Sequence, residues 1–295
     1  MRITFLGTSA SLPTKSRALS AVALEHEGDV LLFDCGEATQ MQMLRYKINL
    51  ARLRAIFITH IHGDHSIGIA GVVRTLALGR RTEPLRIFVP RGAERAVRAL
   101  IRFDGSIMGY RIAVEGIGGG TVYKSKDFVV RAFRLRHSVA TYGYAFVGSD
   151  RTRFDNGKCA ALGIRGRMFS ELQRRGFICI GKKTIRLESV SRRVPGKRVV
   201  YAVDTRPSAN TVKVAEMCDM LIHDATYASE LASYAAERMH STAAEAAAVA
   251  KKAKAKALAL THISARYSDA SRLLEEAKKI FPHALLAHDG LAIQL

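Results

Sequence analysis

The sequence predicts an α/β fold made of two half-patterns of strands and helices with a basic segment inserted between them. Three observations predict it. Short apolar runs alternate with helical segments up to about residue 150, and the same style resumes from about residue 198. Residues 151–197 break that rhythm, being rich in Arg and Gly and poor in long apolar runs. Three histidines and an aspartate crowd the end of one apolar run, in His60-Ile61-His62-Gly63-Asp64-His65.

Taken in order, strands are expected at 2–6, 20–24, 29–34, 54–59, 86–90, 128–136 and 142–147, and helices at 38–46, 66–79 and 91–103. Beyond the insertion, strands are expected near 198–203, 219–223, 257–261 and 291–294, and helices near 208–217, 242–255 and 269–280. The helix at 242–255 is rich in Ala and Lys, which favour helix. Thr242 is placed to cap it, and Glu245 completes a capping box. The expected organisation is one body formed by 1–150 and 198–295, with 151–197 projecting as an inserted arm.

A chain of 295 residues with 48% hydrophobic side chains buries a substantial core. No apolar run reaches 18 residues, which argues against a membrane span. Met1-Arg2-Ile3-Thr4-Phe5-Leu6-Gly7 reads as a first strand and not as a signal peptide. Cys35, Cys159, Cys179 and Cys218 are widely spaced, a pattern expected of reduced cytoplasmic thiols. The net charge of +20 predicts a polyanionic partner. That charge is concentrated: residues 151–198 hold 14 Lys/Arg against three acids, so this segment carries +11 of the total.

Chance assembly of the His-x-His-x-Asp-His run in a chain of this composition is on the order of one in two thousand. Neutral imidazoles and carboxylates are ligands for Zn²⁺ and similar ions. His60 and His62 follow an expected strand at spacing two, so extended backbone points them the same way. Gly63 is expected to free the turn that swings Asp64 and His65 into the same space. Four ligands so crowded suit two metals better than one, provided further ligands arrive from elsewhere.

The run resembles the signature of the metallo-β-lactamase fold, which implies a four-layer αββα sandwich. The resemblance also implies later ligands at strand ends, a His, an Asp and a His in that order. His137, Asp204 and His262 each follow a short apolar run and fit that order.

Further segments resemble the short form of the RNase Z family, endonucleases that trim the 3′ trailer of precursor tRNA. They are Pro13-Thr14-Lys15-Ser16-Arg17, Asp34-Cys35-Gly36-Glu37-Ala38-Thr39-Gln40, Asp204-Thr205-Arg206, His240-Ser241-Thr242 and Leu260-Thr261-His262-Ile263-Ser264-Ala265-Arg266-Tyr267. The resemblance spans nearly the whole chain. It implies a zinc-dependent endoribonuclease with two Zn²⁺ per subunit (Mn²⁺ or Fe²⁺ being alternatives) that leaves a 3′-hydroxyl on tRNA. It also implies a cytoplasmic homodimer.

By the same resemblance, His60, His62 and His137 hold one ion, Asp64, His65 and His262 the other, and Asp204 bridges them. Asp64 doubles as proton acceptor, and His240, oriented by Asp224, is the general acid. Lys15, Arg17, Thr205 and Arg206 bind substrate near the cut. The basic arm grips tRNA around Gly163, Arg165, Gly166 and Arg167.

Three positions depart from the family pattern. Arg stands for the arm's usual Pro at Arg167, Asp224 for a Glu, and Ala18 for an Asn. Another dinuclear hydrolase of this fold, a glyoxalase II-like thioesterase or a small phosphodiesterase, has no need of the +11 segment or the His-Ser-Thr loop. A non-catalytic RNA-binding relative is expected to have lost ligands, and all seven candidates are here.

Overall fold

The computed structural model describes residues 1–105, 107–181 and 183–295. Lys182, one of the cations of the basic segment, lies outside the described residues. The described residues divide into two compact units, Met1–Val147 with Lys197–Leu295, and Gly148–Gly196.

Among the described residues, the larger unit builds two seven-stranded sheets. The first runs Ala292–Gln294, Arg2–Gly7, Ala21–His26, Asp29–Phe33, Leu53–Phe57, Leu85–Pro90 and Ile112–Ile117. It is antiparallel from its Ala292–Gln294 edge to Asp29–Phe33 and parallel from there onward. The second runs Ala284–Leu286, Leu258–Thr261, Met220–Asp224, Arg198–Ala202, Tyr142–Gly148, Phe128–Arg134 and Gly120–Lys124. Its first four strands are parallel to one another.

Period-two burial explains the layering. One face of each sheet contributes Phe5, Phe33, Phe57 and Phe88, or Phe128, Tyr144, Phe146 and Tyr201, to a single aromatic-rich core. The opposite face of the first sheet packs Leu32, Ile56 and Ile87 against Val72, Val73 and Val97 of helices Ile69–Leu78 and Glu94–Ile101. The opposite face of the second packs Leu221 and Leu258 against Ala246, Ala250 and Leu273 of helices Ala243–Lys252 and Ser271–Ile280. Helix, sheet, sheet, helix is the αββα sandwich of the metallo-β-lactamase fold. The capping box forms, with Thr242 and Glu245 each holding the other's backbone.

Some elements depart from the expected pattern. Strands Ile112–Ile117, Gly120–Lys124 and Ala284–Leu286 carry little sequence signal, because a glycine interrupts the first, a glycine opens the short second and the third is three residues long. The helix expected at 66–79 begins instead with a short turn, Gly63–Ser66, and restarts at Ile69. Gly63 therefore opens a helical turn after His62 and does not supply a left-handed kink. Gly68 sits between the two pieces, where any β-carbon would collide with the carbonyls of Gly36 and Cys35.

The smaller unit has secondary structure of its own. It pairs Arg151–Phe154 with Ser191–Val194 and Phe177–Ile180 with Lys183–Arg186, and adds helices Asn156–Ala161 and Arg167–Arg175. Cys159, Ile164, Leu172, Ile178, Ile185 and Val190 form its own small core.

Candidate metal centre

The candidate ligands stand just past strand ends of the two sheets, where parallel strands of α/β folds expose their functional loops. Asp34 follows Asp29–Phe33, His60 and His62 follow Leu53–Phe57, Asp204 follows Arg198–Ala202, and His262 follows Leu258–Thr261. Asp34, Asp204 and His262 have left-handed backbones, with φ of 57°, 50° and 61°. Such conformations are strained for side chains other than Gly and persist where the surroundings fix them.

Two four-residue groups result, one of His60, His62, His137 and Asp204 and one of Asp64, His65, Asp204 and His262. Within each group the potential ligand atoms lie within 4.8 Å of one another. Asp204 belongs to both. Its Oδ2 is 3.3 Å from His60 Nε2 and 3.7 Å from His137 Nε2. Its Oδ1 is 3.3 Å from His65 Nε2 and 2.8 Å from His262 Nε2. Asp64 Oδ2 lies 3.3 Å from His65 Nε2 and accepts a hydrogen bond from the Ser11 amide.

The other ring nitrogen of four of these histidines is already engaged. His60 Nδ1 meets the Thr59 hydroxyl, His65 Nδ1 meets Asp34 at 2.7 Å, His137 Nδ1 meets the Met239 carbonyl and His262 Nδ1 meets the Thr226 hydroxyl. Such partners fix ring orientation and leave Nε2 as the inward ligand atom. Asp34 anchors more than His65: it accepts from the Thr59 amide and hydroxyl and from the Tyr201 hydroxyl.

The residues fit divalent metal. Among the described residues, Nε2 of His65, His137 and His262 and Oδ1 of Asp204 are buried without a hydrogen-bond partner. They approach one another without the alignment of hydrogen bonds, as donors converging on a shared cation do. Electrostatics agree. Burial and the nearby His65 push His60 down to about 4, which favours the neutral imidazole a divalent ion takes as a ligand. Burial opposes charge on His65 and His262, yet Asp204 raises both, His262 to about 10. The carboxylates here favour positive charge, which His60, His65 and His262 supply to Asp204 and which a dication satisfies better.

His240 and Asp224 lie beside this centre. Asp204, Asp224, His240 and His262 form a third group with potential ligand atoms within 4.8 Å of one another. His240 Nδ1 is 3.0 Å from Asp224 Oδ2, so the shorter carboxylate at position 224 still reaches its partner. Asp224 Oδ1 is held by the Thr226 amide and hydroxyl. Burial opposes charging His240, but Asp224 outweighs it and raises the imidazole above its ordinary value.

Lys15 is exposed on the loop after Ala10. Arg165 and Arg167 are exposed beside Gly163 and Gly166 in the smaller unit, both glycines having positive φ.

Three residues expected to bind substrate are turned into the protein. Arg17 donates from Nη1 to the Thr8 hydroxyl and the Ala287 carbonyl. Its loop is closed by Asp289, which accepts from the Ala18 amide and Gln42. Thr205 is fully buried, its amide on Asp224 and its hydroxyl on the Arg206 carbonyl. Arg206 is forked onto Glu245. The sequence holds no sign of these partnerships, since Asp289 and Glu245 lie far along the chain. Asp34 did carry a signal, standing in the Asp-Cys-Gly-Glu run without being given a role.

A ribonuclease Z of Methanosarcina acetivorans is 40% identical over 299 residues, covering 100% of this chain and 98% of that protein. One of Halobacterium salinarum is 44% identical, covering 100% and 97%. The chain belongs to the ribonuclease Z family. Among solved structures, the short form of human tRNase Z superposes with a TM-score of 0.73 at 26% identity, covering 100% of this chain and 99% of that one. The metallo-β-lactamase fold protein YhfI of Bacillus subtilis matches with a TM-score of 0.72 at 18% identity, which speaks for the fold alone. The family model of the anti-Pycsar protein Apyc1 matches residues 1–101. Membership of the ribonuclease Z family makes this chain a nuclease of the hydrolase class, and its His/Asp groups are those of a divalent-metal site.

Proposed function

We propose that this chain is a zinc-dependent endoribonuclease that removes the 3′ trailer from precursor tRNA, leaving a 3′-hydroxyl on the tRNA. The observation that carries the reading is the placement of the His240–Asp224 pair against two His/Asp groups that share Asp204. In it, His60, His62 and His137 hold one Zn²⁺, Asp64, His65 and His262 a second, and Asp204 both. The N/O donor set also suits Mn²⁺ or Fe²⁺. Ions bound there supply charge neutralisation on the attacked phosphate and acidification of water.

The protein's own groups divide the proton work. Asp64 presents a carboxylate oxygen beside His65 and is the acceptor for the nucleophile's proton. His240 is turned by Asp224 so that its Nδ1 is occupied and Nε2 is the atom that delivers a proton to the leaving 3′-oxygen.

Affinity comes from charge. Lys15 serves phosphates near the cut, and the 151–198 segment, at +11, grips the folded tRNA through exposed arginines such as Arg165 and Arg167. Among the described residues no helix is long and apolar enough to cross a membrane. The free thiols of Cys35, Cys159, Cys179 and Cys218 suit a cytoplasmic setting. A homodimer is part of this reading, and the exposed Met41, Leu44, Ile67 and Leu78 offer apolar area for it. Sedimentation is expected to give the dimer mass, and a monomer at every concentration removes that part.

Incubation of metal-loaded protein with a precursor tRNA bearing a 3′ trailer tests the function. One cut at the 3′ end of the acceptor stem is expected. Affinity is expected to fall steeply between roughly 50 and 200 mM salt. Absence of any cut, or a salt-independent affinity, overturns the reading or its phosphate-gripping part respectively.

A further inference from the structure

The loop carrying His240 is held from a second direction. Arg206, two residues past Asp204, donates from Nη1 to the His240 carbonyl at 2.6 Å. The same guanidinium forks onto Glu245, with Nη1 to Oε2 at 2.9 Å and Nη2 to Oε1. Glu245 Oε2 also accepts from the Thr242 amide, and the Glu245 amide returns a hydrogen bond to the Thr242 hydroxyl. The Ser241 hydroxyl closes the circuit onto the Thr205 carbonyl. The Thr205 amide reaches the Asp224 oxygen that holds His240 Nδ1. His240 is thus fixed at its ring by Asp224 and at its backbone by Arg206, both through the segment that follows Asp204.

We infer that Arg206 is a positioning residue which, forked onto Glu245 and bonded to the His240 carbonyl, sets the His240 ring for proton transfer and does not touch the RNA. This rests on the reading of His240 as general acid. The chemistry favours Arg for the task. Only a planar guanidinium satisfies a bidentate carboxylate and still offers a donor to a carbonyl, whereas a lysine ammonium is a point charge without the fork. The side chain is 18% exposed and Glu245 29%, so the pair is partly shielded and oriented by its partners rather than free on the surface.

The test compares two substrates on metal-loaded protein, precursor tRNA in single turnover and bis(p-nitrophenyl) phosphate, whose leaving group needs no proton. Arg206→Met is expected to slow saturated tRNA cleavage by about 10²-fold, the scale of a misplacement of roughly 1 Å. RNA affinity and metal content are expected to stay near those of the unmodified chain, with little loss on the activated diester. Glu245→Gln is expected to shift in the same direction, and the double variant to be no slower than Arg206→Met, because the two act as one unit. Arg206→Lys, which keeps one donor for the carbonyl, is expected to recover part of the rate and carries the test if the Met variant does not fold.

Weakened RNA binding with unchanged saturated cleavage makes Arg206 an RNA contact and overturns the inference. Equal loss on both substrates, or no loss, overturns it as well. His240→Ala on the same pair separates the layers. If it loses equally on both substrates, the general-acid reading falls and this inference with it. If it is selective and Arg206→Met is not, only the positioning role falls.

Discussion

Asp204→Ala is expected to abolish cleavage of precursor tRNA and to lower bound metal to about one equivalent or less. Asp204 faces both groups of ligands, Oδ2 toward His60 and His137 and Oδ1 toward His65 and His262. Removing it takes a carboxylate from both sites at once and leaves buried imidazoles without their counter-charge. Burial disfavours a charged Asp204, but His262, His65 and His60 hold its carboxyl well below the ordinary carboxylate range. His65→Ala is expected to act similarly through one site, since its ring is locked by Asp34 behind and aimed at Asp64 and Asp204 in front. Elemental analysis beside single-turnover kinetics checks both variants. Two equivalents of metal with full activity in either variant contradicts the assignment.

The second large effect is confined to one step. His240→Ala is expected to retain metal and tRNA affinity yet slow single-turnover cleavage by roughly 10²–10⁴-fold, the usual range for loss of a general acid. The ring stands 5.3 Å from those of His137 and His262, close to the centre, but is not needed to complete either four-residue group. Asp224→Asn is expected to show a smaller defect, because it orients Nδ1 and meets no phosphate. A substrate with an activated leaving group is expected to restore most of the rate. Equal loss on both substrates means that His240 shapes the site instead of delivering a proton.

What could be read in advance follows from where information sits in the chain. The His60–His65 run is dense enough to stand out by itself, and the resemblance it carries pointed onward to His137, Asp204 and His262, each just past an apolar run; the structure gathers these residues into two groups, each with its ligand atoms within 4.8 Å of one another. The capping box at Thr242 and Glu245 was legible for the same reason, its partners being three residues apart.

Partnerships across the chain were not legible. Arg17 lies 270 residues from the Ala287 carbonyl it binds, and Arg206 lies 39 from Glu245. The resemblance names both as substrate-binding residues, and only the fold supplies these protein partners. The elements inside the smaller unit were not legible for another reason. Its core side chains are single residues scattered among arginines and glycines, so no run announced the three short helices and two two-stranded sheets found among its described residues.

The central claim is hydrolysis of one phosphodiester with the 3′-oxygen as leaving group. Mass analysis of the products formed from precursor tRNA in ¹⁸O-labelled water tests it most directly. The account predicts a tRNA ending in an unlabelled 3′-hydroxyl and a trailer whose 5′-phosphate carries the label. A 2′,3′-cyclic phosphate on the tRNA, or label at the tRNA end, contradicts it.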